Sequence, residues 1–357
     1  MITKVIALFL VAIILITPAA FLTGYYFGRS DTTPAQTSRP QYLSIIAASL
    51  YAKYIGAASK EAGINSTIEA EGAVEAARQV VLSPSEFGIY ATPEPSLITG
   101  IIGNISGWYI AVASDQMVIA YSPLAPAANE LATLNGEINA SIHAGDANLT
   151  AYLNDLYSIV LSPSSKLGIT NPNTDPEGID ALLELQLAGI FENRSSSYYL
   201  DQFNALNASG SVAETTAGSS LIAYIQSGQI YYDIAMFKSA AEAYNLSYVC
   251  LPPQINLGSM AYSSYYRQAS TVITVNGAPL QVVGGPIFFS MTIPNGYAHK
   301  ELAAQLIVYM NSQPGRALMS QYGLSPLPVE MLYGDINDVP QPLSYLINST
   351  SIENVHQ

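Results

Sequence analysis

Positive charge is scarce in this chain. Among 357 residues, 12 lysines and arginines face 26 aspartates and glutamates, for a formal net charge of −14. A nucleic-acid partner needs a basic surface to meet its phosphates, so this balance argues against one. Cysteine is scarcer still. Cys250 stands alone and cannot close an internal disulfide, and its simplest role is a buried residue at a strand end. The histidines, His143, His299 and His356, have no metal-ligand spacing. No compact set of nucleophile, base and orienting group emerges, and Gly284-Gly285-Pro286 with the isolated glycines does not make a phosphate-binding loop. No internal repeat is visible. These absences point to a protein that is not an enzyme and needs no cofactor or free metal ion.

What the chain does have is apolar mass. Half of it is hydrophobic, enough for a sizeable core and two lobes. Surface polarity must come from Ser, Asn, Thr, Gln and the 25 tyrosines, which suits an external or acidic setting. Residues 5–22, VIALFLVAIILITPAAFL, follow Lys4 without a charge. They are expected to form a signal anchor or signal peptide over 1–28, with the N-terminus inside and the body on the extracellular face of the cell membrane, anchored or secreted. A flexible linker follows at 29–41, rich in Ser, Thr and Pro. Without a cysteine nearby, lipid attachment through one is excluded there. Eight acceptor sequons, at Asn65, Asn104, Asn139, Asn148, Asn193, Asn207, Asn245 and Asn348, fit an exported protein open to glycosylation.

Strand and helix signals alternate in the body. YLSIIAAS (42–49), STIEAEG and FGIYAT (87–92) read as strands, while LYAKYIGAASKEAG (50–63) and AVEAARQVVL read as helices. That is the pattern of a mostly parallel sheet with helices on its faces. GWYIAVASDQMVIAYS (107–122) is two β-rich runs broken at Ser114–Asp115, a place for the chain to cross between lobes. A second crossing falls in the Pro-rich LSYVCLPPQINLG (246–258). The expected division is therefore lobe I at 42–113, lobe II at 114–250, lobe I again at 251–345, and a tail at 346–357. STVITVNGAPLQVVGG reads as a hairpin turning at Asn276–Gly277. NPNTDPEG (171–178) opens an apolar helix with two carboxylates. It reads either as Asx turns with a cap, or as the anion site that free N–H groups form at a helix start.

Several stretches together resemble the archaeal branch of the molybdate and tungstate binding proteins, the extracellular solute receptors of ABC importers. They are IIAASL (45–50), EAEGAVEAARQV (69–80), WYIAVASDQMVIAYS (108–122), LGITNPNTDPEGIDALLELQLAG, FKSAAEAYNLSYVCLPPQINLG, and GGPIFFSMTIPN with PGRALMSQYG. The resemblance runs from about 43 to 329. It implies an α/β, two-lobed fold of the periplasmic-binding-protein type (type II), here preceded by the N-terminal membrane helix. The implied ligand is an oxyanion, tungstate or molybdate, held in the cleft and passed to a permease driven by cytoplasmic ATPases.

The resemblance places the oxyanion contacts at Ser49, Gly72, Ala73, Asp175 and Met236. Ser49 offers a hydroxyl after a strand, and reads equally as an N-cap. Asp175 reads from the residues alone as a cap ahead of Pro176, with Glu177 favourably placed early in the same helix. The chain departs from the family pattern in two places. Ala73 stands where a serine hydroxyl is usual, and Met236 and Phe237 replace a carboxylate and a tyrosine before Lys238. Asp233 is a nearby carboxylate out of register. Arg78 and Lys238 read as surface residues before anion-tuning ones. Two rival readings remain: the same fold with sulfate, phosphate or another small solute, and a structural, glycosylated cell-surface protein.

Overall fold

The computed structural model describes residues 42–345, apart from Asn276. The first sheet has six strands in the order β13-β4-β12-β3-β1-β2. They are β1 (Leu43–Ala48), β2 (Ser66–Glu71), β3 (Ile89–Thr92), β4 (Trp108–Ser114), β12 (Phe288–Thr292) and β13 (Ser325–Gly334). β1 lies parallel to β2 and β3, whereas β12 and β13 run antiparallel to their neighbours. The second sheet, in the order β7-β6-β8-β5-β9, comprises β5 (Met117–Tyr121), β6 (Leu167–Thr170), β7 (Val212–Thr215), β8 (Tyr232–Phe237) and β9 (Ser247–Cys250). A separate antiparallel hairpin joins β10 (Ser270–Val275) to β11 (Ala278–Val283), with Gly277 in the left-handed region at φ 80°.

Burial explains these patterns. Strands β3, β5, β6 and β8 are buried along their whole length, as helices on both faces require, and they read as largely apolar runs, with Asp233 the charged exception in β8. β2, at the sheet edge, alternates instead between half-buried and exposed residues over most of its length. Tyr51 and Tyr54 pack on Phe289 with ring centroids 4.5 and 5.6 Å away, joining the first helical turns to β12.

The membrane helix expected before the body needs correction. Its residues, 1–28, lie outside the described residues, as do the linker at 29–41, the tail with its Asn348 sequon, and His356. Among the described residues, no helix is long and apolar enough to cross a membrane. The most thoroughly buried helix, Pro176–Phe191, has 16 residues, short of the roughly 20 that a bilayer requires. Its apolar surface is satisfied by the sheet and neighbouring helices. The described fold is the α/β body, and it contains no helix that could attach it to a membrane.

The chain passes between the sheets twice, and the two crossings lie side by side. The Met117 N–H donates to the Asn256 carbonyl at 2.8 Å, and the Asn256 side-chain amide donates to Gln116 Oε1 at 2.7 Å. Asp115 is buried at the first crossing, where it accepts from the Gln116 N–H at 2.9 Å, the Ser239 N–H at 3.2 Å and the Ser239 hydroxyl.

Candidate functional site

Strands β1, β2 and β6 each end beside a helix start, and the two sheets turn these ends toward each other. After β1, Ser49 begins a 3-10 turn that feeds the helix Ala52–Glu61. Its buried hydroxyl accepts from the Ser219 N–H at 3.2 Å, across from the other sheet. After β2, Gly72 precedes the helix Ala73–Leu82 and supplies no side-chain cap. The free N–H groups of Val74 and Glu75 instead donate to the Thr174 carbonyl, at 3.1 and 3.3 Å. A Cβ on Gly72 would overlap the Thr174 and Thr216 carbonyl oxygens. Glycine is therefore required here by close approach of backbone, since its φ of −64° suits any residue.

The segment NPNTDPEG shapes the opposing wall. The Asn171 carboxamide oxygen accepts from the Asn173 N–H at 2.8 Å, and the Asn171 carbonyl accepts from the N–H groups of Thr174 and Asp175, both at 2.9 Å. That turn presents the Thr174 carbonyl to the Ala73 helix. Asp175 then caps the helix Pro176–Phe191, with Oδ1 accepting from the Glu177 N–H at 3.2 Å. Oδ2 accepts from the Gly218 N–H, also at 3.2 Å, at the start of the helix Gly218–Ser227. The segment is thus both a helix cap and part of the surface where the two sheets meet.

Carboxyls crowd this wall without a cation partner. Asp175, Glu177, Asp180 and Asp233 are each at most 3% exposed. Burial pushes Asp175 up to about 6, against the opposing pull of its hydrogen bonds from Glu177 and Gly218. Glu177 is raised well above the usual carboxylate range, first by burial and next by the charge of Asp175. Burial also raises Asp180 strongly and takes Asp233 to about 7 and Asp115 to about 7. Tyr51 faces them from the first sheet, its phenol raised by burial and then by Asp115, Glu177 and Asp180. Among the described residues, no group of His, Cys, Asp and Glu is placed to hold a metal ion.

Ser49, Gly72, Ala73 and Asp175 therefore meet at one junction. Phe237 reaches it through its ring, stacked on Tyr51 with centroids 6.2 Å apart. Met236 is fully buried in β8 opposite Val118, as a core residue of the second sheet. Asp233 lies earlier on β8, and its Oδ1 accepts from the Ala235 N–H at 2.7 Å. Lys238 forms a half-exposed pair with Glu242 at 3.5 Å. Arg78 differs from its surface reading. Besides its pair with Glu75 at 2.9 Å, its guanidinium donates to the carbonyls of Asn173 and Thr274, both at 3.1 Å. It ties the first sheet's helix to the second lobe and to the hairpin. Sequence reasoning did not single out Gly218, Ser219, Asp180 or Tyr51. The turn-forming TTAGSS ahead of an apolar helix was the available signal for the first two.

Residues 47–325 match the family described as bacterial extracellular solute-binding protein, and the chain belongs to that family. An uncharacterised solute-binding protein of Saccharolobus solfataricus is 30% identical over 249 residues, 69% of this chain and 60% of that protein, so this chain spans less than two thirds of that relative. The molybdate/tungstate-binding protein WtpA of Pyrococcus abyssi is 24% identical over 315 residues, 83% of this chain and 84% of the relative. The fold resembles that of the periplasmic molybdate-binding protein of Azotobacter vinelandii, with a TM-score of 0.50 and 14% identity over 80% of this chain and 99% of that one. The family is one of extracellular solute-binding proteins, and the similarity in fold agrees with it.

Proposed function

We propose that this protein is the receptor of an ABC importer, capturing tungstate or molybdate where the two sheets meet and delivering it to a permease driven by cytoplasmic ATPases. The observation that carries the reading is the meeting of the Ser49 turn with the starts of the Ala73, Pro176 and Gly218 helices. Each helix start brings N–H groups with no partner inside its own helix, and their dipoles favour negative charge. Ser49 adds a hydroxyl that rotates to donate when an anion replaces Ser219 as its neighbour. An anion entering beside the Ala73 helix would take the place of the Thr174 carbonyl on the Val74 and Glu75 N–H groups.

The carboxyl of Asp175 favours a metal-centred oxyanion over sulfate. Tungsten and molybdenum accept further oxygen ligands, whereas fully deprotonated sulfate has neither an open coordination position nor a proton to offer a carboxylate. The similarity to WtpA supports the same class of solute. Calorimetric titration of the purified full chain with tungstate, followed by competition with molybdate, sulfate and phosphate, tests the proposal. Tight one-to-one binding of tungstate or molybdate, weakly matched by the other two, is expected. Absence of heat with all four from folded protein would remove the oxyanion reading, and preference for sulfate would redirect it.

A further inference from the structure

We propose that Glu177 holds a proton in the closed cleft and donates it to the bound anion, so that the solute is gripped by an acid of the protein as well as by backbone amides. The inference rests on the oxyanion reading and deepens it by naming the group that selects for negative charge on the carboxyl-bearing wall.

Geometry singles Glu177 out. Its side chain is buried, and its Oε1 has no hydrogen-bond partner. The carboxyl lies directly against Gly218, where a Cβ would overlap Oε2, at the start of the Gly218–Ser227 helix. The next residue, Ser219, gives its N–H to Ser49 Oγ. Glu177 thus stands within the junction that brings the two sheets together, with one oxygen uncommitted. Asp175 beside it accepts from backbone N–H groups with both oxygens and shares a side-chain hydrogen bond with Glu177, which favours the charged form of Asp175 and keeps the proton on Glu177. Asp233 also has one buried oxygen without a partner, Oδ2, but it lies on β8 with Oδ1 held by its own strand rather than at a helix start, and Asp180 lies nearly a turn further along the helix.

Charge decides which form Glu177 takes. Asp175 faces it from the turn, Asp180 from its own helix, Asp233 from β8 and Tyr51 from the first sheet, and among the described residues no Lys, Arg or His forms an ion pair with it. A second negative charge beside Asp175, buried and unpaired, is disfavoured, so the carboxyl stays neutral. A neutral carboxyl has an O–H to donate, and an anion with filled lone pairs is the partner that it suits. The ionised form would repel the same ligand.

Two measurements on the full chain test this, comparing the parent with Glu177→Gln and Glu177→Ala. The first is tungstate titration by calorimetry from about pH 6 to about pH 9, where the ligand remains a dianion. Parent affinity should fall as pH rises, approaching tenfold per unit once Glu177 loses its proton. Gln keeps an N–H donor, so its affinity should stay within about threefold of the parent at the acid end and fall less steeply with pH than the parent's, the remaining slope coming from Asp175, Asp233 and Asp115, which titrate in the same range. Ala should lose roughly tenfold or more at the acid end. The second is thermal unfolding without ligand over the same range. A carboxyl raised on folding contributes stability that is full below its unfolded value, about 4.3, and lost as pH rises through the folded value. The parent should therefore weaken relative to Glu177→Gln as pH rises. A gap in melting temperature that does not change with pH would overturn the proton. Binding by Glu177→Ala as tight as the parent's would overturn the contact while leaving the oxyanion reading standing. A parent that binds none of the four oxyanions, with the melting difference still present, would overturn that reading and the donation with it.

Discussion

The two lobes bring opposite chemistry to their shared edge. The first offers neutral groups, the Ser49 hydroxyl and the bare N–H groups beyond Gly72 and Ala73. The second offers carboxyls at Asp175, Glu177, Asp180 and Asp233. Both edges are helix starts, yet their orphan donors are satisfied differently. On the first they are met by the Thr174 carbonyl, which follows a strand of the second sheet. On the second they are met by Asp175, fixed in the same chain segment as the helix that it caps. On the proposed reading, an anion would displace the Thr174 carbonyl on the first wall, whereas on the second it would meet helix starts that already give N–H groups to Asp175.

The sharpest way to break this pairing is Gly72→Ala. The backbone there accepts alanine, but the new methyl strikes the Thr174 and Thr216 carbonyls, so each lobe should fold while the junction opens. Tungstate affinity should drop by roughly a hundredfold, at the upper end of overpacking costs, with a larger radius of gyration by X-ray scattering. Unchanged scattering and affinity would mean that the junction relaxes freely. Asp175→Ala comes next. It removes the cap and strands the Gly218 N–H, so we expect about 1–2 kcal/mol of lost stability and roughly a thirtyfold loss of tungstate affinity. Equal binding by mutant and parent would take Asp175 out of the site. Arg78→Ala releases two carbonyls in other parts of the molecule and should cost about 1 kcal/mol in denaturant unfolding. Glu75→Gln breaks only the half-exposed pair with Arg78 and should change stability by less than about 0.5 kcal/mol. A larger effect from Glu75 than from Arg78 would show that the ion pair, rather than the bridging hydrogen bonds, holds that helix.

Local structure was legible where local forces decide it. The run at 42–49 became β1 and the Ser49 turn, and FGIYAT supplied β3, because unbroken apolar strands next to helical periodicity have few other solutions. The hairpin of β10 and β11 likewise follows from its alternation and turn glycine. What pattern could not convey was pairing at a distance. Arg78 meets carbonyls 95 and 196 positions away, and Ser49 meets an amide 170 positions away. The helix Pro176–Phe191 concealed its chemistry for another reason. Glu177, Asp180 and Glu184 look like solvent-facing residues of an amphipathic helix, but nearly every side of that helix is covered. Their effect on one another appears only once burial is known. The apolar run at 5–22 illustrates the reverse case, a strong local signal for residues that the described body does not include.

The hairpin alters what opening can mean mechanically. It follows the second crossing in the chain, yet the Gln186 side chain of the second lobe both donates to the Ser270 carbonyl at 3.1 Å and accepts from the Ser270 N–H at 3.3 Å. The Asn173 carboxamide oxygen accepts from the Thr274 N–H at 2.7 Å, while the Thr274 carbonyl accepts from Arg78 on the first sheet's helix at 3.1 Å. A rotation about the paired crossings near Asp115 and Asn256 must therefore either carry this arm along with the second lobe or unfasten it from Gln186. An opening motion would thus involve the arm as well as the two sheets, and fluorescent labels on all of them would report which seam parts first.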